Sequence, residues 1–61
     1  MNKSQQREIA TLQRYHQAGM IDTVARGLSA LIRAAMRQSQ VDAMMVYADA
    51  FGVRNHPEFI V

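Results

Sequence analysis

The sequence contains no cysteine and no tryptophan, one proline and three glycines among its 61 residues. Without cysteine, neither disulfides nor thiolate metal sites can stabilise the fold. His16 and His56 are the only imidazoles, so a structural metal is not expected either. A chain of this length buries only about 60% of the surface that it exposes when unfolded. We therefore expect tight helical packing or oligomerisation to supply the missing stability.

Charge and long apolar runs are also scarce. The formal net charge is +2, although 49% of the residues are hydrophobic, which is the opposite of the composition of disordered chains. No apolar run approaches the roughly 20 residues that a membrane-spanning helix needs, and the first residues lead into no hydrophobic region of a signal peptide. These absences predict a soluble cytoplasmic protein that has no membrane partner.

The apolar residues recur with a helical period and predict three helices, over residues 5–18, 22–37 and 40–51. Ser4 and Asp22 are typical N-cap residues at the starts of the first two helices. Gly19 and Gly52 are placed to end the first and third helices in a left-handed conformation. Gly27, inside the second helix, costs about 1 kcal/mol of helix stability relative to alanine. That cost indicates the close approach of another helix, from the same chain or from a second copy.

The junction between the second and third helices is the least defined part of the pattern. Neither glycine nor proline occurs there, so a single bent helix over residues 22–51 is an alternative. Ser39 and Asp42 have the spacing of a capping box, with Asp in place of the preferred Glu. Because an unbroken helix of that length is unusual, we expect two separate helices.

The residues that follow the third helix predict a tail rather than another long helix, since Pro57 pushes His56 towards extended geometry. The three apolar residues that end the chain are expected to dock on the helices. The predicted fold class is therefore all-α. We expect a single small three-helix domain over residues 1–61, with an extended C-terminal tail packed across the helices.

Residues that could carry chemistry are few. His16 lies on the apolar face of the first helix, and we expect it to be half-buried and hydrogen-bonded to a neighbouring element rather than to bind a metal. Asp42 and Asp49 share one stripe of the third helix, which we expect to be solvated. The sequence contains no glycine-rich phosphate loop and no metal-ligand spacing. It therefore predicts a protein without catalytic activity, cofactor or metal.

A basic stripe on the polar side of the second helix consists of Arg26, Arg33 and Arg37. Residues 1–37 hold six basic and two acidic residues, a net charge of +4, whereas residues 38–61 carry −2. Such a stripe can contact phosphates, so a small nucleic-acid-binding regulator is the alternative function. However, the third helix, which would be the recognition helix of a helix-turn-helix, has acidic residues and no basic one. Nucleic acid is therefore the less favoured partner.

The third helix is apolar around most of its circumference, which is typical of a helix buried on several sides. Three short helices cannot cover it completely, so we expect the C-terminal tail or a second copy of the chain to do so. The alternative contact face of this helix is formed by Val46 and Ala50. The sequence thus predicts a small interaction or adaptor protein, either a homodimer or a binder of another protein. The predicted interface centres on Met44, Tyr47, Ala48 and Phe51.

Overall fold

A computed structural model describes all residues of the chain, which folds into three α-helices: α1 (Lys3–Gln17), α2 (Ile21–Ala34) and α3 (Gln38–Phe51). No strand forms, and the predicted all-α class is confirmed. The second and third helices are separate, because Ala35 and Arg37 have extended backbone conformations with ψ of 136° and 140°. None of the three helices has the length and apolar character needed to cross a membrane.

The start of α1 differs from the prediction. Asn2, not Ser4, is the N-cap residue. The Gln5 N–H donates to Asn2 Oδ1 at 2.8 Å, and the Asn2 N–H donates to Gln5 Oε1 at 3.0 Å. This capping box satisfies two backbone donors at once, and Ser4 consequently lies inside the first turn.

Glycines end α1 and α3 as predicted. Gly19 has a φ of +77° and Gly52 a φ of +72°, a left-handed conformation that only glycine adopts without strain. At the end of α1, the Gly19 N–H donates to the His16 carbonyl at 3.0 Å and the Met20 N–H donates to the Tyr15 carbonyl at 2.9 Å. These two bonds form a Schellman motif and satisfy carbonyl groups of the last turn.

The two predicted caps around α2 and α3 do not form. Asp22 lies in the first turn of α2, behind the N-cap residue Met20, and its carboxylate contacts His56 of the tail instead. The α2 helix ends at Ala34, three residues before the predicted end. The α3 helix begins at Gln38, before the predicted capping box, and the Gln38 side-chain amide donates to Asp42 Oδ1 at 3.0 Å. Because Arg37 is the N-cap residue and no side chain caps this helix, Ser39 and Asp42 lie inside its first turns and do not form a capping box.

The core is centred on α2, which packs against both α1 and α3. Gly27 supports the close approach of α1, since a β-carbon at this position would lie only 2.7 Å from Leu12 Cδ2. The close approach inferred from the sequence is thus a contact within the chain. The ten core residues come from all three helices and the start of the tail: Ile9, Leu12, Val24, Ala25, Leu28, Ile32, Met44, Ala48, Phe51 and Val53.

The C-terminal tail packs on α2. It makes two successive turns, in which the His56 N–H donates to the Val53 carbonyl and the Phe59 N–H donates to the His56 carbonyl, both at 2.9 Å. Val53 is buried and Phe59 packs against the core. The last two side chains, Ile60 and Val61, remain exposed. Of the three apolar residues that end the chain, only Phe59 therefore docks as expected, and residues 53–59 turn instead of extending.

Candidate functional sites

Ser29 is the only buried polar side chain of the molecule. Its hydroxyl oxygen is 2.7 Å from the Ala25 carbonyl oxygen and 3.2 Å from the Glu58 carbonyl oxygen, and it accepts a hydrogen bond from the Ile60 N–H at 3.0 Å. One hydroxyl therefore joins the middle of α2 to the backbone of the tail. The sequence analysis did not predict this role of Ser29. The signal for it is a serine within an apolar stripe, between Ala25 and Ile32.

Two arginines of the predicted basic stripe also hold the tail. Arg26 Nη1 lies 2.8 and 2.9 Å from the two carboxylate oxygens of Glu58, and Arg33 Nη1 donates to the Ile60 carbonyl at 3.2 Å. Arg37 lies in the connection between α2 and α3 and has no side-chain partner. The stripe is thus divided between two arginines that bind the tail and one that faces solvent.

His56 lies between the first turn of α2 and the tail, with both ring nitrogens hydrogen-bonded. The Glu58 N–H donates to Nδ1 at 3.0 Å, so the proton of the neutral ring is on Nε2. This N–H donates to Asp22 Oδ1 at 2.9 Å. The ring therefore has no free nitrogen with which to take a proton from a substrate.

Asp22, His56 and Glu58 could in principle hold a metal ion, because each offers one ligand atom and these atoms lie within 4.8 Å of one another. A histidine that binds a metal through Nε2 usually donates its Nδ1–H to an acceptor, but here Nδ1 faces a backbone donor. The Glu58 carboxylate is already bound to the Arg26 guanidinium. A metal bound by these residues would displace the contacts of His56 with Asp22 and with the Glu58 N–H, and the contact of Glu58 with Arg26. The residues therefore fit a structural network better than a metal site.

His16 joins the ends of α1 and α3. The ring is half-buried, its Nε2–H donates to the Phe51 carbonyl at 3.1 Å, and its centroid lies 5.2 Å from that of the Phe51 ring. The predicted role, a half-buried histidine bonded to a neighbouring element, is confirmed. The bond also satisfies a carbonyl of the last turn of α3, which has no partner within the helix.

The predicted interface residues of α3 fall on two opposite sides of the helix. Met44 and Ala48 are completely buried and Phe51 is 7% exposed, so these three form part of the core of a single chain and not a surface. Tyr47 is half-buried, and its ring lies 5.8 Å from the Phe51 ring. Val46 is 66% exposed. The face accessible to a partner is therefore the predicted alternative contact face, which consists of Val46 and Ala50.

The accessible side of α3 carries one ion pair. Arg54 Nε donates to Asp49 Oδ1 at 2.6 Å and Arg54 Nη2 donates to Asp49 Oδ2 at 3.1 Å. The hydrogen bonds from Arg54 hold the pKa of the Asp49 carboxyl below its usual value. Asp49 therefore stays charged, and its charge is matched by Arg54. The prediction that Asp42 and Asp49 line an exposed stripe is confirmed.

The largest surface depression, of about 440 Å³, lies where the start of α1 meets the connection between α2 and α3. Beside it the side chain of Met36 is 94% exposed. Arg37 is the single charged residue of its lining, and neither an acid nor a histidine is present there. The depression thus lacks the groups that acid–base catalysis needs.

No protein-family model matches the chain, and comparisons with curated proteins and with solved structures found no match.

Proposed function

We propose that the protein is a small interaction module that acts through surface contact, without catalysis, and that forms a homodimer through the exposed side of α3. This side, called here the outer α3 face, consists of Ser39, Asp42, Val46, Asp49 and Ala50. All five residues are exposed. The observation that carries the proposal is the exposure of Val46, 66% in the middle of a helix.

The energetics of the outer α3 face favour contact with a protein. Full burial of a valine side chain contributes roughly 1.5–3 kcal/mol, and a symmetric dimer buries the same patch on both copies. Ala50 lies one turn from Val46 and adds apolar surface without bulk. Asp49 is paired with Arg54 in the same chain, so a partner covering this face need not compensate the charge of that carboxylate.

Two further observations support a role without catalysis. Both nitrogens of His56 are occupied by groups of the same chain, and the Glu58 carboxylate is bound by Arg26. His16 points its Nε2–H at a carbonyl of α3. The titratable groups that come together in this fold are thus engaged in holding the tail and the helix ends.

The proposal is tested by comparing two variants that each add one negative charge on an exposed helix surface. Val46→Glu places the charge in the outer α3 face, and Gln13→Glu places it on α1. We expect Val46→Glu to weaken dimerisation at least tenfold, because a buried unpaired carboxylate is costly, while Gln13→Glu leaves it unchanged. Sedimentation velocity over a concentration series provides the readout, and circular dichroism checks that both variants fold.

Equal sedimentation of the two variants and the unmodified chain, all as dimers, would place the interface elsewhere. The nucleic-acid alternative has less support, since Arg26 and Arg33 are engaged with the tail. It predicts binding to random duplex DNA that weakens steeply with salt, which a low-salt titration measures directly.

A further inference from the structure

The charges that the fold leaves without a partner are concentrated on α1. Outside this helix, two of the four arginines pair with carboxylates and a third donates to a carbonyl. On α1, Lys3, Arg7 and Arg14 are exposed and their side chains form no hydrogen bond or ion pair. The basic and acidic residues outside α1 balance each other, four against four, so α1 carries the whole formal net charge of +2.

The three cations share one stripe of α1 with three glutamines. At about 3.6 residues per turn, the cations fall within an arc of about 40° and the glutamines flank them on one side. The buried residue Leu12 lies about 160° from Arg14 around the helix, so the stripe points away from the core. This surface, called here the outer α1 face, consists of exposed residues: Lys3, Gln6, Arg7, Gln13, Arg14 and Gln17.

Two of these cations are placed unfavourably for the stability of the helix. Lys3 and Arg7 are four residues apart, and like charges at this spacing destabilise a helix. Lys3 is also in the first turn, where the helix dipole favours acidic residues, and that turn contains none. Glu8, the only acid of α1, lies about 100° from Arg7 and outside this face. Lys3 and Arg7 therefore contribute no stability to the fold, which is consistent with binding of an anionic partner.

We propose that the outer α1 face binds duplex DNA, with α1 lying in the major groove. This groove is about 12 Å wide and admits a helix, whose diameter with side chains is about 10–12 Å. Arginine and glutamine form bidentate hydrogen bonds with the edges of guanine and adenine there, and lysine and arginine also neutralise phosphates. Ala10, which lies between the cations and the glutamines, is too small to hold the helix away from the bases. The proposal does not depend on the homodimer.

Other polyanions fit this face less well. A helix that lies on a membrane buries its apolar side chains among the lipids, but the apolar residues Ile9 and Leu12 of α1 are buried in the core. Single-stranded nucleic acids are held by stacking on aromatic side chains, and the outer α1 face has none. The major groove of duplex RNA is too deep and narrow for protein side chains to read. Duplex DNA therefore matches both the shape and the chemistry of the face.

The test measures binding of the full chain to a random-sequence DNA duplex by fluorescence anisotropy over a series of salt concentrations. Arg7→Gln and Arg14→Gln each remove one charge from the outer α1 face and keep a good helix former. We expect each to raise the Kd about tenfold near 0.05 M salt and to weaken its salt dependence. The reason is that each lost phosphate contact removes about 0.9 from the slope of log K against log salt.

Arg37→Gln is the matched control. Arg37 is exposed, has no side-chain partner and belongs to the basic stripe predicted from the sequence, but it lies outside α1. We expect it to change the Kd much less than either variant of α1, and circular dichroism checks that all three variants fold. A Kd for Arg37→Gln that rises as much as that of Arg7→Gln overturns the assignment to the outer α1 face. Absence of DNA binding by the unmodified chain at low salt overturns the proposal as a whole.

Two further ligands distinguish the kind of polyanion. A duplex RNA of the same sequence should bind more weakly than the DNA, because its major groove does not admit the helix. Vesicles that contain phosphatidylserine should bind more weakly still, since the apolar side of α1 is not available for insertion. Equal affinity for the two duplexes overturns the placement of α1 in the major groove. Tighter binding to the vesicles than to DNA overturns the choice of nucleic acid as the partner.

Discussion

At the scale of the residue, one buried hydroxyl group contributes to the attachment of the tail, together with Arg26 and Arg33. Ser29 is 1% exposed, and its oxygen contacts the Glu58 carbonyl and the Ile60 N–H of the tail. A buried polar group is stabilising only when its partners are present. The Ser29 hydroxyl therefore satisfies a backbone N–H of the tail that no other group bonds.

Replacing Ser29 by alanine tests this dependence. We expect Ser29→Ala to lower the free energy of unfolding by about 1–2 kcal/mol, because the Ile60 N–H loses its partner, and to accelerate hydrogen exchange at the Ile60 amide. Ser4→Ala is the control, since Ser4 is exposed on α1, outside the outer α3 face, and makes no side-chain hydrogen bond. Unchanged exchange at Ile60 in Ser29→Ala would contradict the role of the hydroxyl.

The pair of Asp49 and Arg54 makes a prediction about pH. Its hydrogen bonds lower the pKa of Asp49 from the usual 3.8. A lowered pKa in the folded state stabilises the fold above the unfolded pKa, and this contribution disappears as the pH falls through the folded pKa. Arg54→Gln should raise the Asp49 pKa towards its usual value. An NMR titration of the carboxyl carbon measures it, and an identical pKa in both proteins would contradict the pairing.

At the scale of the element, the packing of α1 on α2 depends on the lack of a side chain at Gly27. Alanine favours a helix by about 1 kcal/mol over glycine, but its β-carbon would lie 2.7 Å from Leu12 Cδ2. We expect Gly27→Ala to be stabilising by about 1 kcal/mol in a Leu12→Val background, where both Cδ atoms are absent. When Leu12 is present, we expect Gly27→Ala to give no net stabilisation, because the new β-carbon displaces the Leu12 side chain and this cost offsets the gain in helix propensity.

Urea unfolding of the four proteins in this double-mutant cycle gives the coupling energy between the two positions. Gly19→Ala is the matched control for the same substitution. Its surroundings are open, but its φ is +77°, so we expect it to destabilise by about 1–2 kcal/mol without coupling to Leu12. A coupling energy of zero between positions 12 and 27 would contradict the close approach of the helices.

The helices themselves could be predicted from the sequence because periodicity and terminal glycines are local signals. Gly19 and Gly52 end helices where expected. The helix starts were less predictable because polar residues compete for the cap. Asn2 forms a box with Gln5 that excludes Ser4 from the N-cap, and Asp22 binds a histidine 34 residues away in the sequence. A contact so distant in the chain has no local signal.

At the scale of the whole molecule, the position of α2 at the centre of the core determines which residues of the other helices are exposed. The apolar circumference of the third helix suggested that it needed cover on every side, yet α2 occupies the centre and α3 packs on it. Met44, Ala48 and Phe51 consequently lie inside the fold. Periodicity shows which residues of a helix share a face, but it does not show which neighbour covers that face. The sequence therefore could not show which residues of α3 face the core and which remain exposed.

The proposed homodimer requires that a second copy of the chain cover the exposed side of α3. Sedimentation equilibrium of the unmodified protein at micromolar concentrations measures this most directly. We expect a mass that rises with concentration towards twice the 6.9 kDa of one chain. A mass that stays at 6.9 kDa across the whole concentration range would contradict it.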